Sequence, residues 1–225
     1  MIIRCIDFET TGIPSELQKH AVCEVGWCDI DGMVVSAPCS LLVNPGRPIP
    51  FEAMAVHHIR DMDVANAPSS DKAFTSLMSG ADVFSAHNAA FERQFFAGGD
   101  KPWICTYRCA MRAWPELPGH SNQVLRYALN LKIDEVLASP PHRAGPDAYI
   151  SAHILLRLLG QASVEQLIKW TSEPIILGTV RFGKHRGQNW SSVPRDYLDW
   201  LLRQTDLDAD VRHTAKYYSR PRTNA

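Results

Sequence analysis

The chain opens on a short apolar run, Ile2, Ile3, Cys5 and Ile6, that ends at Asp7. Its length and β-branched content predict a buried strand over 2–7 that delivers Asp7 to its end. Residues 21–30 and 33–43 are again rich in apolar and β-branched positions, and Asp31-Gly32 stands between them. Both turn residues tolerate positive φ, so the pair predicts a tight hairpin. With the first strand it makes a three-stranded antiparallel meander. The segment 45–50, PGRPIP, reads as a rigid loop.

Further along the period changes. Residues 69–79 predict a helix opened by Ser69 or Ser70 and closed by Gly80. A short strand follows at 82–87, then a helix at 88–97 that ends at Gly98-Gly99. A strand at 103–106 leads into a helix at 107–114, stopped by Pro115. Ser121 caps a helix through Leu129 with Leu125, Ala128 and Leu129 on one face. Pro140-Pro141 break the chain before a long helix at about 146–159, where Pro146 suits the first turn. The segment 172–178, SEPIILG, reads as a junction. Beyond it come a strand near 179–182, a turn at Gly183 and Gly187, and helices near 194–204 and 207–218. The expected fold class is α/β: a mixed sheet flanked by helices over 1–172, with a small C-terminal appendage at 178–225.

Composition narrows the class. Hydrophobic residues at 45% and charged residues at 21% exclude disorder, collagen and coiled coil. No run of about 18 apolar residues occurs, so no membrane span is expected. The start MIIRCIDFE lacks the basic flank and long apolar stretch of a secretory signal. The six cysteines include no CxxC pair, which argues against zinc and for reduced, buried thiols. A cytoplasmic protein is expected. The net charge of −1 argues at first against a phosphate-binding protein. Its distribution argues otherwise. Residues 1–177 carry a balance of −5 and residues 178–225 a balance of +4.

The informative chemistry lies in the acids. Asp7 and Glu9 are two apart on a strand and so face one side. Paired carboxylates repel unless protons or cations lie between them, and hard oxygen ligands suit Mg²⁺ or Mn²⁺. Such a pair is also compatible with two solvated acids at a strand end. His87-Asn88-Ala89-Ala90-Phe91-Glu92 brings an acid into the first turns of one helix. His142-Arg143-Ala144-Gly145-Pro146-Asp147 does the same in another. Each acid alone is equally a favourable charge at a helix N-terminus.

Taken in order, these segments resemble the DEDDh 3′→5′ exonucleases of the ribonuclease H-like superfamily, the group of proofreading exonuclease domains and ribonuclease T. The likeness runs through DFETTG at 7–12, AMAVHHI at 53–59, AHNAAFE at 86–92, WICT at 103–106, HRAGPDA at 142–148 and RFGKHRG at 181–187. It implies that Asp7, Glu9, Glu92 and Asp147 hold two divalent ions, Mg²⁺ or Mn²⁺, and that His142 is the general base. It also implies that Thr10 and Thr11 hold the terminal nucleotide, that Val56 and His57 pack on its base or sugar, and that Asn88 and Phe91 line the same pocket. Phe8 is expected to stack there, and Ile13, with Pro14, to form an apolar tip that could wedge a terminal base pair.

Glu92 departs from the family, which usually has Asp at that position; the side chain reaches ~1.5 Å further. The resemblance implies release of 5′-mononucleotides from DNA 3′ ends, single-stranded with duplex ends as a second substrate, and a part in DNA repair. The competing readings are an RNA 3′-trimming exonuclease and a catalytically weak DNA-end-binding module. The basic appendage, with Arg181, Lys184, His185, Arg186, Arg195 and Arg203 interleaved with Phe182, Trp190 and Trp200, is read as a DNA grip. Its aromatics are more naturally its own small core.

Overall fold

The first strand, β1 (Ile2–Thr10), sorts its side chains by alternation. Ile3 and Cys5 enter one hydrophobic cluster, and Ile6 and Phe8 enter the other. The structure, a computed structural model, describes residues 1–14 and 18–220; residues 221–225 of the appendage lie outside the described residues.

Strand β2 (Val22–Asp31) pairs antiparallel with β1 and turns through Asp31-Gly32 into β3 (Val34–Val35) and β4 (Cys39–Leu42). Gly32 takes φ 60°, as the turn demands. The second half of the hairpin is split. The Ser36 hydroxyl accepts from the Asp29 amide at 3.0 Å, and Pro38 has no amide to donate. Strands β5 (Val83–Ala86) and β6 (Trp103–Cys105) extend the sheet to give the order β3-β2-β1-β5-β6, with β4 also on β2. Strands β1, β5 and β6 run parallel, so their C-terminal ends share one edge.

The intervening helices are α1 (Phe51–His57), α2 (Asp61–Val64), α3 (Ser70–Met78) and α4 (Ala89–Glu92). After β6 follow α5 (Thr106–Ala113), α6 (Asn122–Ala128), α7 (Ala144–Leu159) and α8 (Val164–Ser172). Ala73 and Leu77 of α3 and Phe96 cover the Ile6–Phe8 face. Cys109 of α5, Leu125 of α6, Leu167 of α8 and the apolar side of α7 cover the other.

Two expectations from the sequence need correction. The helix expected at 88–97 is the single turn α4. After Glu92 the amides of Gln94 and Phe95 bond three residues back, which tightens the chain into turns before Gly98 and Gly99 at positive φ. No strand forms at 179–182. Thr179 makes one isolated bridge to Asn189, because the loop closes on itself through Val180 N to Gln188 O and Gly187 N to Val180 O, both 2.8 Å. Helices α1, α2 and α8 carry no expectation from the sequence; α1 and α2 are short, and their apolar faces cover only a small satellite core with Cys23 and Ile49.

Past residue 176 the chain has its own cluster around Trp190, with Val180, Leu198, Leu201, Val211 and Ala215. It is built on α9 (Arg195–Leu202) and α10 (Ala209–Tyr218). This unit is bolted to α5. Arg108 donates to both oxygens of Asp210 at 2.7 and 2.9 Å, and Asp210 also accepts from Ile175 N at 3.0 Å. Among the described residues no helix is long and apolar enough to cross a membrane. All six cysteines are free; five are buried, and burial holds the Cys5 thiol well above its ordinary pKa.

Candidate active site

The alternation that buries Ile3 and Cys5 carries Asp7 and Glu9 onto the same face of β1, toward α7. What lets α7 come so close is glycine. Gly26 is the register partner of Asp7, and a Cβ on it would lie 2.0 Å from the carbonyl carbon of Ala144. A Cβ on Gly145 would meet Ser40 Oγ at 2.2 Å. Two bare backbones therefore let the first turn of α7 rest directly on the sheet, which places Asp147 over the acids of β1. Ligand oxygens of Asp7, Glu9 and Asp147 lie within 4.8 Å of one another.

His142 precedes α7 in the left-handed conformation, φ 58°. Its backbone amide donates to Asp147 Oδ2 at 3.0 Å, which ties the loop to the carboxylate. The His142 side chain is exposed and acts electrostatically on Asp147. Glu92, in α4 at the shared edge of β5, is buried and stands outside the three-acid group. It still raises the pKa of Asp7 and Glu9 through space. Its Oε2 is buried and has no hydrogen-bond partner.

The electrostatics describe a site built for cations. Burial first, then repulsion from Asp147, Glu9 and Glu92, holds Asp7 well above the usual carboxylate range. Burial and the neighbouring acids push Glu9 up to about 8, and burial pushes Glu92 up to about 8. Asp147 is raised by burial, and the His142 amide partly offsets this. Four crowded acids, Glu9 and Glu92 buried and Asp7 and Asp147 half-buried, one with an orphaned oxygen, fit a divalent metal with oxygen ligands. Asp7, Glu9 and Asp147 would hold it, and Glu92 would reach in from α4.

Two residues of the site carry no signal in the sequence. Glu24, the register partner of Glu9, is 1% exposed. It takes Arg143 Nε at 2.9 Å, an Arg143 guanidinium nitrogen at 2.6 Å and the Ala144 amide at 3.0 Å. One strand carboxylate thus caps α7 and clamps the residue after His142. The partners are about 120 positions apart, so no local pattern reveals them.

The residues expected to bind a nucleotide divide. Ile13 is 78% exposed beside Gly12, and Val56 is 48% exposed on α1. Asn88 is exposed at the start of α4, and Phe91 is half-buried with its ring 5.3 Å from Phe95. Thr10 and Thr11 are buried and engaged locally. The Thr10 hydroxyl donates to Gly12 O at 2.8 Å, and the Thr11 hydroxyl accepts from Ala21 N at 3.0 Å.

Phe8 and His57 are corrections. Phe8 sits between Asp7 and Glu9 on the strand, so it points to the opposite face and packs 5.7 Å from Phe74. His57 is 2% exposed; its Nδ1 accepts from Ile59 N at 3.0 Å, and its ring lies against Cys23. Burial lowers its pKa, so the ring is a neutral support for the end of β1.

Comparison with known proteins places this arrangement. The family model described as Exonuclease matches residues 5–155. The chain is 35% identical to Exodeoxyribonuclease 10 of Escherichia coli strain K12, over 96% of this chain and 98% of that protein. It is 28% identical to DNA polymerase III subunit epsilon of Treponema pallidum, over 68% of this chain and 74% of that one. Among solved structures it resembles Exonuclease X in complex with 5′ overhanging duplex DNA, at a TM-score of 0.67 and 32% identity, over 76% of this chain and 99% of that chain. Catalysis in this family depends on divalent metal, and the carboxylate cluster is where such a metal would bind. The chain belongs to this exonuclease family and is a DEDDh-type 3′→5′ exonuclease of ribonuclease H-like fold.

Proposed function

We propose that the protein is an exodeoxyribonuclease that removes 5′-mononucleotides from the 3′ ends of single-stranded DNA and of duplex ends. The observation that carries this is the convergence of Asp7, Glu9 and Asp147 within 4.8 Å, with Glu92 facing them and His142 tied to Asp147. Full-length likeness to Exodeoxyribonuclease 10 supports DNA as substrate. A pair of Mg²⁺ or Mn²⁺ ions held by these carboxylates would neutralise the phosphodiester and polarise the attacking water and the leaving oxygen.

The chain's own residues do the rest. The His142 imidazole accepts a proton from water as its oxygen attacks phosphorus. The P–O3′ bond breaks, the 3′-oxygen takes a proton, and the terminal nucleotide leaves with its 5′-phosphate. Asn88, Phe91 and Val56 contact the terminal nucleotide by packing on its faces, which favours weak sequence preference. Ile13, on an exposed tip beside the site, wedges against the last base pair of a duplex end. The basic unit from residue 178 onward adds a grip on the phosphate backbone.

The test is degradation of labelled DNA and RNA strands with Mg²⁺, Mn²⁺ or EDTA. DNA shortened from its 3′ end in metal, and intact in EDTA, is expected. Preferential loss of RNA would replace DNA as the substrate, and binding without cleavage in either metal would remove the catalytic reading. His142→Ala should slow turnover roughly 10²–10⁴-fold while end binding persists; wild-type rates would remove His142 as the base.

A further inference from the structure

The basic unit does more than hang from the catalytic core. Between them lies a cleft of about 790 Å³. One wall is the loop and helix end carrying Arg112 and His120, with Trp170 behind. The other carries Arg181, His213 and Tyr217. A second cavity of about 250 Å³ shares Arg181, Met111 and Leu177 with the first, and continues the seam past Tyr107 and Phe182. Glu116 is the one acid on the larger cleft, and Asp208 and Asp210 line the smaller; Asp210 is already paired to Arg108. Arg112 is held by Pro174 O at 2.7 Å and lies 3.6 Å from Glu173, whereas Arg181 is exposed and bonds the Tyr107 hydroxyl.

The seam borders the catalytic edge of the sheet. Tyr107 and Thr106 directly follow β6, His87 directly follows β5, and Asp7 and Glu9 end β1. Arg181 donates to the Tyr107 hydroxyl at 3.1 Å. The His120 carbonyl accepts from His87 Nε2 at 2.7 Å, and His87 Nδ1 bonds the Thr106 hydroxyl at 2.9 Å. Burial depresses the His87 pKa to about 4, so this link is a fixed neutral bridge. Asn122, two residues past His120, donates to the Asp147 carbonyl at 3.4 Å. The wall of the cleft is therefore fastened to elements that carry Glu92 and Asp147.

We infer that this seam holds the single DNA strand just upstream of the nucleotide being removed, an inference that rests on the exodeoxyribonuclease reading. A strand whose 3′ end lies on the acids must leave along that edge of the sheet. Guanidinium groups meet its phosphates, and the half-exposed Tyr217, with the half-buried Trp170 also lining the cleft, offers a stacking surface. The cleft has the volume of a ligand pocket, which suits a few splayed nucleotides and not a duplex.

The experiment uses the full chain. Single strands of about twenty nucleotides carry one 4-thiothymidine at successive distances from the 3′ end, for photo-crosslinking in Ca²⁺, and their cleavage in Mn²⁺ is compared with that of a trinucleotide. Thiobases a few positions upstream are expected to crosslink to 112–120, 177–182 or 213–218. The double substitution Arg181→Ala with Tyr217→Ala should lower the ratio of kcat/KM for long strand over trinucleotide about 10-fold. Crosslinks that map elsewhere, or an unchanged ratio, overturn the seam as the strand's path. Wild-type protein that cleaves no DNA of either length overturns the underlying reading and this one with it, and does so before any variant is made.

Discussion

Removing Arg143 tests how the site is held. Its guanidinium makes two bonds to Glu24, at 2.6 and 2.9 Å, and Glu24 is 1% exposed. Arg143→Ala leaves that carboxylate buried with only the Ala144 amide, at 3.0 Å. Breaking a buried pair from one side costs about 3–5 kcal/mol, mostly the unpaired charge. The Arg143 side chain is 36% exposed, so solvent screens part of the attraction, and the low end, about 3 kcal/mol, is expected.

The rate should suffer separately. Arg143 lies between His142 and the first turn of α7, and a displacement near 1 Å at a reacting group costs about 10²-fold. Urea unfolding at pH 7 gives the stability, and oligonucleotide turnover well below the transition gives kcat. The double variant Glu24→Ala with Arg143→Ala should recover part of the stability, because no charge is left orphaned, yet not the rate. An Arg143→Ala protein within about 1 kcal/mol of wild type and within about two-fold in kcat would refute the clamp.

Three further outcomes follow from the acids and glycines. Glu9 and Glu92 have folded pKa values near 8 against 4.5 for free Glu. Their contribution to metal-free stability is present below pH 4.5 and lost as pH rises through about 8. Thermal melts in EDTA should therefore fall between about pH 5 and 8, and Mn²⁺ should raise Tm more at the higher pH; a flat profile with no metal effect would exclude the cluster as a cation site. Glu92→Gln should stabilise the metal-free protein at about pH 8 while lowering metal-dependent turnover at least about 10²-fold, measured by melts and by cleavage of one oligonucleotide. Gly26→Ala would drive a Cβ to 2.0 Å from Ala144, so α7 must shift; a loss of about 2–3 kcal/mol or more in urea, with cleavage abolished, is expected.

The clustering of Asp7, Glu9 and Asp147, and the nearness of His142 to Asp147, were legible because each residue sits in a local pattern. An alternating strand, a helix N-terminus and an acid five residues after a histidine are all readable without knowing the fold. The same alternation also reveals that Phe8 cannot share a face with Asp7 and Glu9, so its place in the core follows from period two alone. His57 is different. A polar residue in a loop motif looks accessible until Cys23 and the end of β1 close over it.

Helix α4 shows the limit from the other side. The apolar run after Asn88 has helical spacing, yet Gly98 and Gly99 and the packing of Phe96 against Phe84, 5.1 Å apart, end the helix early.

By itself, then, the sequence determined the family and the exonuclease chemistry, and it pointed to the acids, the histidine and the basic C-terminal stretch on which the proposed mechanism rests. The tertiary structure alone decided how these are held and joined. Glu24 and Arg143 find each other across 119 positions, and Gly26 matters only because Ala144 lands on it. The seam at Arg181 lies where Asp210 docks on Arg108, 102 positions away. The physical reason is range. Alternation, capping and turn preferences act over a few residues, whereas close packing and the pairing of buried charge depend on which distant segments the fold brings into contact.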